Sequence, residues 1–340
     1  MQIDVKENVE ELTKKDFVSD QAVRWCPGCG DYMILAMMQK TFARMNHRKE
    51  DFLSISGIGC SSRITYYLDT FGFHSIHGRA IAVATGAKLA NPQQNVWVFT
   101  GDGDCMAIGG NHFIHTCRRN VDLNIIIFNN KIYGMTKGQS SPTTPVGTKT
   151  KTAPEGSYEQ PFNIGEVAIG AGASFFARVP DNDPKLLEEV MMQAYLHKGT
   201  SVIEVLQNCV IFTDGIHEAI TSRDTKDDNQ LRLEHGKPMI FGKELDKGIR
   251  INGMKLAKTD LDENRDEVII HDQTEMETQL HIALANLQLP DHPVAMGIIR
   301  QVIRPSYGEV VHQAIEAERK NSEFKSLKDL FLSGSTWDIN

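Results

Sequence analysis

Three short, largely apolar runs constrain this chain more than any other feature. Residues 52–56 (FLSIS), 96–100 (VWVFT) and 123–128 (LNIIIF) are each closed at once by glycine or amide residues. The closures are Gly57-Ile58-Gly59-Cys60, Gly101-Asp102-Gly103 and Asn129-Asn130. A strand that is apolar on both faces belongs inside a parallel sheet covered by helices on both sides. Helical patterns lie where such a sheet needs its crossovers. Residues 32–45 mix Met, Ile, Leu and Ala with few breakers, residues 78–90 are rich in Ala and other small residues, and 104–118 suit a third helix. Right-handed βαβ crossovers put successive strand C-termini on one edge of the sheet, the edge where open α/β sheets bind ligands. The expectation is an α/β fold with a doubly wound parallel sheet.

The alternation continues beyond residue 130. Residues 138–156 are a long stretch of Ser, Thr, Pro, Lys and Gly, and uninterrupted loops of that length are usually functional or disordered. A strand is expected over 173–179, then a helix to His197 with Asp183-Pro184 as its N-cap and first turn. Another strand covers 201–206, with Cys209 just after it. From about residue 234 the chain becomes more charged, with a Lys/Gly-rich hairpin-like stretch and an acidic patch at 260–267. Ser306 and Glu309 are spaced as a capping box for a last helix. The chain divides into an N-terminal arm (1–20), a ligand-binding domain (21–235) and a C-terminal extension (236–340).

Composition excludes some partners. The net charge of −8, from 36 basic and 44 acidic residues, lacks the basic excess of a nucleic-acid binder. No apolar run reaches the ~18 residues of a membrane span. Residues 1–20 are charged and lack the apolar core of a signal peptide, so the expected location is cytoplasmic, without membrane or nucleic-acid partners.

The strand ends carry the chemistry. A crossover brings Asp102 and Asn130 to the ends of neighbouring strands, where a carboxylate and an amide oxygen suit Mg²⁺, a cation that also takes phosphate oxygens. The glycines let backbone approach a diphosphate, and a helix starting near Asp104 points its N-terminus at the anion. Alone, Gly-Asp-Gly is equally a plain acidic turn. The cysteines lie at 26, 29, 60, 105, 117 and 209. In a chain of this size and kind they are metal, catalytic or core residues rather than a disulfide framework. Cys26 and Cys29 precede a helix, while Cys60 and Cys209 each follow a strand, so all four can converge on one sheet edge. Four thiolates can hold a [4Fe–4S] cluster. A thioredoxin-like dithiol and structural zinc are the alternatives. The dithiol would not follow a strand in a short βαβ domain, and zinc sites more often use two close pairs. Cys105 and Cys117 fall in a crossover helix and are expected to be buried, inert thiols.

Taken together, WCPGCGDY (25–32), SGIGCSSR (56–63), HGRAIAVATGAKLAN (77–91), FTGDGD (99–104), NNKIYGMTKGQSSPTT (129–144) and the cysteine at 209 resemble one family in order over roughly residues 20–220. It is the thiamine diphosphate-binding β subunit of 2-oxoacid:ferredoxin oxidoreductases, in wording closest to the 2-oxoglutarate type. The resemblance implies the diphosphate-binding module fold. It implies that Asp102, Asn130 and the carbonyl of Ile132 hold Mg²⁺. Gly101, Gly103, Asp104, Gly134 and Met135 would line the cofactor, with Ile58, Gly59, Cys60, Ser61 and His77 in contact with it. Cys26, Cys29, Cys60 and Cys209 would bind the cluster, and Lys137 would approach the substrate carboxylate. Two of these have plain rivals, His77 as a helix cap and Lys137 as a solvated loop charge. The implied reaction is CoA-dependent oxidative decarboxylation of a 2-oxoacid to acyl-CoA and CO₂, with electrons leaving through the cluster to ferredoxin. The catalytic Glu against the aminopyrimidine would come from a separate α subunit, making the active form an αβ unit or its dimer. Alternatives are a pyruvate-type substrate, a non-oxidative thiamine diphosphate decarboxylase or synthase that leaves the cysteines idle, and a zinc-binding structural subunit.

Overall fold

The computed structural model describes residues 11–337 and 339, so residues 1–10 of the expected N-terminal arm lie outside the described residues. The three apolar runs are strands β1 (Phe52–Ser56), β3 (Asn95–Gly101) and β4 (Leu123–Asn129), with β2 (Phe71–His74) between the first two. β5 (Phe175–Pro180), β6 (Thr200–Leu206), β7 (Gln230–Arg232) and β11 (Val294–Gln301) complete an eight-stranded sheet in the order β2-β1-β3-β4-β6-β5-β11-β7. The first six are parallel to one another. β11 runs antiparallel to β5, and β7 follows the direction of β11.

The sheet is apolar on both faces because both are covered. On one side Ile55, Val98, Ile125, Ile127 and Val202 pack with residues of helices Ala80–Ala90, Gly110–Arg119 and Ile164–Gly170. On the other, Phe52, Trp97, Phe99, Ile126, Phe128 and Ile203 pack with helices Asp31–Arg44 and Pro184–Leu196. Alternate residues of β4 therefore enter opposite cores, which is why its sequence shows no polar phase. Asp183 caps the helix it precedes by accepting from Leu186 N–H at 3.0 Å, and the Ser306/Glu309 box caps helix Tyr307–Asn321.

One expectation changes in the structure. The helix expected over 104–118 is two helices, Asp102–Met106 and Gly110–Arg119, because Gly109-Gly110 interrupts the pattern. The anion-facing helix thus begins at Asp102 and is only five residues long. The expected C-terminal extension (236–340) packs back onto the large sheet. It forms a small antiparallel sheet of β8 (Ile240–Phe241), β9 (Lys247–Asn252) and β10 (Lys255–Asp260), then returns as β11 to the middle of the large sheet's far end. No helix among the described residues is long and apolar enough to cross a membrane.

Candidate functional site

The C-terminal ends of β1, β3, β4 and β6 share one edge of the sheet, and the loops leaving it surround a cavity of about 540 Å³. Ile58, Gly59, Cys60 and Ser61 line it after β1, His77 after β2, Gly101 to Asp104 after β3, and Asn130, Ile132, Gly134 and Met135 after β4. Phe128, Tyr133, Thr136 and Gln139 line it as well. Lys137 is not in the lining. It lies on an exposed turn with φ +76° directly after Met135 and Thr136.

Asp102 is 1% exposed. One of its oxygens accepts from Ser141 Oγ and from Thr143 Oγ1, the latter at 2.6 Å. Burial nevertheless pushes its carboxyl up to about 6, so its anion lacks compensation that a cation would supply. Asn130 donates through Nδ2 to Gln207 Oε1 at 2.8 Å, which leaves Oδ1 as the acceptor for Ile132 N–H at 3.2 Å. Those oxygens are the hard donors Mg²⁺ prefers. The remaining lining also fits a diphosphate. The Ser61 hydroxyl is buried without a hydrogen-bond partner, a donor free for an anion oxygen. Gly103 lies flat against Tyr133, whose hydroxyl donates to the Gly103 carbonyl at 3.0 Å. A Cβ there would come within 2.2 Å of the Tyr133 ring.

Asp104 lines the cavity, yet its carboxylate is already engaged by the chain. Oδ1 accepts from Ile58 N–H (3.1 Å), Gly78 N–H (2.7 Å) and His77 Nδ1 (2.7 Å), and Oδ2 accepts from Thr100 Oγ1 (2.7 Å). It clamps the loops after β1, β2 and β3 together. His77 is held by this bond and is not a helix cap, since helix Ala80–Ala90 starts three residues later behind Arg79.

The thiols occupy the same edge, behind Gly134. Trp25 Nε1 donates to the Cys60 carbonyl at 2.8 Å, Gly30 N–H to the Asn208 carbonyl at 3.3 Å, and Gln207 Nε2 to Cys29 Sγ at 3.3 Å. These bonds tie the loops bearing Cys26 and Cys29, Cys60, and Cys209 to one another. A Cβ on Gly134 would lie 3.6 Å from Cys209 Sγ and 3.8 Å from Cys60 Sγ, so both thiols face this lining glycine. Burial, reinforced by Asp31, Cys209 and Cys26, pushes the Cys60 thiol up to about 12, and burial raises Cys29 further. A bound cation would displace those protons. Among the described residues no three His, Cys, Asp or Glu side chains converge tightly enough for a single metal ion. The ligands of a cubane cluster bind different irons and stand further apart than those of one zinc. Cys105 and Cys117 are buried in the sheet core.

Several site residues were not evident in the sequence. Ser141 and Thr143 come from the long Ser/Thr loop, whose polarity signalled function without naming the two that reach Asp102. Behind them, Asn129 Nδ2 donates to Glu204 Oε1 at 2.7 Å, and Glu204 pairs with Arg178 at 2.7 Å, all buried. Gln207 follows β6 on the shared edge, and that position was its only signal.

Residues 57–205 match the family model of the thiamine pyrophosphate enzyme C-terminal TPP binding domain. The chain is 45% identical over 332 residues to 2-oxoglutarate oxidoreductase subunit KorB of Mycobacterium tuberculosis, covering 96% of this chain and 88% of that one. It is 52% identical over 185 residues to 2-oxoglutarate synthase subunit KorB of Archaeoglobus fulgidus, covering 54% of this chain and 69% of the relative. Its fold superimposes with a TM-score of 0.77 and 28% identity on a 2-oxoglutarate:ferredoxin oxidoreductase from Magnetococcus marinus with 2-oxoglutarate, coenzyme A and succinyl-CoA bound, covering 96% of this chain and 98% of that chain.

Proposed function

The chain belongs to the family of 2-oxoacid:ferredoxin oxidoreductase β subunits of the 2-oxoglutarate type, and from that membership we propose that it holds Mg²⁺–thiamine diphosphate and a [4Fe–4S] cluster side by side and, with an α subunit, converts 2-oxoglutarate and CoA to succinyl-CoA and CO₂ while reducing ferredoxin. The observation that carries this reading is Gly134. It lines the cavity on one side, and its bare Cα faces the Cys60 and Cys209 thiols on the other.

Each residue set has a defined task. Asp102, Asn130 Oδ1 and the Ile132 carbonyl hold Mg²⁺, with Ser141 and Thr143 fixing the Asp102 carboxylate from behind. The Ser61 hydroxyl and the flat backbone at Gly59 and Gly103 accommodate the diphosphate. Asp104 holds His77 and the Ile58 loop against the cofactor's flank. Cys26, Cys29, Cys60 and Cys209 ligate the cluster, and Lys137, on its exposed turn, meets the substrate carboxylate. Thiamine diphosphate in this place supplies the electron sink for loss of CO₂, and the cluster supplies the electron exit. The α subunit would contribute the carboxylate that faces the aminopyrimidine.

Metal analysis of anaerobically purified chain tests the reading. About four irons and four sulfides per chain are expected, with their visible absorbance lost in Cys209→Ser and retained in Cys105→Ser and Cys117→Ser. Stoichiometric zinc, or a chromophore that survives Cys209→Ser, would overturn the ligand set.

A further inference from the structure

Gln207 touches both halves of the site. It is 1% exposed, and its backbone N–H is fixed to the Asn129 carbonyl at 3.1 Å, directly past the end of β6. Its side-chain Nε2 donates one hydrogen to the Asn208 carbonyl and the other to Cys29 Sγ at 3.3 Å. Its Oε1 accepts from Asn130 Nδ2 at 2.8 Å. These bonds have a direction. The Asn208 carbonyl can only accept, so the NH₂ end of Gln207 must face it, and that end also meets the sulfur. Oε1 must then face Asn130, which obliges Asn130 to present Nδ2 to Gln207 and Oδ1 to the cavity side, where it accepts from Ile132 N–H. A single backbone carbonyl thus orients two amides, one buried and one half-buried, and it is itself tied by Gly30 N–H to the loop that bears Cys29.

We propose that Gln207 is the positioning residue that joins the two cofactor sites: it aims the Asn130 amide oxygen at Mg²⁺ and donates the N–H···S bond that raises the reduction potential of the cluster at Cys29. The inference rests on the reading that Cys29 is a cluster ligand and Asn130 a Mg²⁺ ligand. Its physical basis is general. A hydrogen bond to a ligating sulfur favours the more negative, reduced cluster and so raises the potential. An outer partner that orients a metal ligand commonly governs affinity by roughly tenfold or more.

Two substitutions separate the functions in the αβ complex. Gln207→Glu keeps an oxygen acceptor for Asn130 Nδ2 but has no N–H for Cys29 or for the Asn208 carbonyl, and it adds negative charge beside the sulfur. Gln207→Met, of similar size, loses both contacts. In an EPR-monitored redox titration, both variants should show a midpoint potential shifted to more negative values. In calorimetric titration with Mg²⁺ and thiamine diphosphate, Gln207→Met should bind roughly tenfold more weakly, and Gln207→Glu should stay close to the wild type. Should a variant fail to assemble its cluster, the calorimetric split between Glu and Met still has to appear in the cluster-free complexes. Wild-type potentials in both variants, or equal affinities for Glu and Met, would overturn the assignment. Wild-type protein without iron would instead remove the cluster reading on which the inference stands, so the two failures are distinguishable.

Discussion

Asp102 and Asp104 stand on the same single turn of helix, and their neighbours divide them. Asp104 receives four donors from two loops and strand β3, a structural load. Asp104→Ala leaves two backbone N–H groups and a hydroxyl without their acceptor, at a cost on the order of 3 kcal/mol. Asp104→Asn keeps one acceptor oxygen for the backbone donors and should cost clearly less. Urea denaturation of the two variants checks this, and equal midpoints would contradict the clamp. Asp102 takes two hydroxyl donors on one oxygen and is still pushed up to about 6 by burial. Asp102→Ala should therefore abolish Mg²⁺-dependent thiamine diphosphate binding while the fold persists, as read by calorimetry beside a far-UV spectrum. Wild-type affinity in that variant would refute its role as cation ligand. Gly-Asp-Gly-Asp in the sequence marked both carboxylates as site residues. It could not divide them, because the donors on Asp104 come from residues 58, 77, 78 and 100, brought together only by the sheet.

Elements that are regular in isolation were legible; elements made by distant partners were not. β1, β3, β4, β5 and β6 are buried on both faces and announce themselves by largely apolar sequence. β2 is a four-residue edge strand with every residue exposed, so it has no pattern to read. β11 carries Gly297 at φ +101° and a register shift between Ile298 and Arg300, and it finds its place by pairing with β7 and with β5, the latter more than a hundred residues earlier. The joint between these layers contains a pH-sensitive group. His197, at the end of helix Pro184–Leu196, bonds through Nε2 to Ser174 Oγ at 2.7 Å, and Ser174 donates to Asn120 Oδ1 at 2.6 Å. Asn120 in turn donates to the carbonyls of Arg304 and Pro305 at 3.1 and 3.2 Å. Burial lowers His197 to about 4, against a small opposing pull from Asp122. Its folded value lies below its unfolded value near 6.5, so the unfolded chain binds the extra proton first. The stabilisation is complete above about pH 6.5 and is lost as pH falls toward 4, on the order of 1 kcal/mol per pH unit within that window. His197→Gln should flatten this part of the pH dependence of the unfolding midpoint. A slope unchanged by the substitution would place the acid sensitivity elsewhere.

At the scale of the whole molecule, the proposed reading makes the chain one side of a cofactor site. The residues proposed to grip a diphosphate and its cation come from four loops of one sheet. The remaining chain closes that sheet's far end with β7 and β11 and adds a small antiparallel sheet, rather than a second doubly wound unit of ~150 residues. Beside the cavity the surface is apolar and open. Ile58 and Met135 line it while still 38% and 45% exposed, and Phe71, Phe73 and Ile76, on the edge strand and the turn leading to His77, are 60%, 54% and 73% exposed. Contiguous exposed apolar surface of this kind marks an interaction site, and the proposed α subunit would cover it while bringing the carboxylate for the aminopyrimidine. That carboxylate is needed for proton removal from the thiazolium carbon. The isolated chain should accordingly retain cluster and weak Mg²⁺–diphosphate binding, but show no 2-oxoglutarate-dependent reduction of a viologen dye. Activity should appear on adding the α subunit. Turnover by the chain alone, with no second band on a gel, would mean that the carboxylate lies within these 340 residues and that the half-site assignment is wrong.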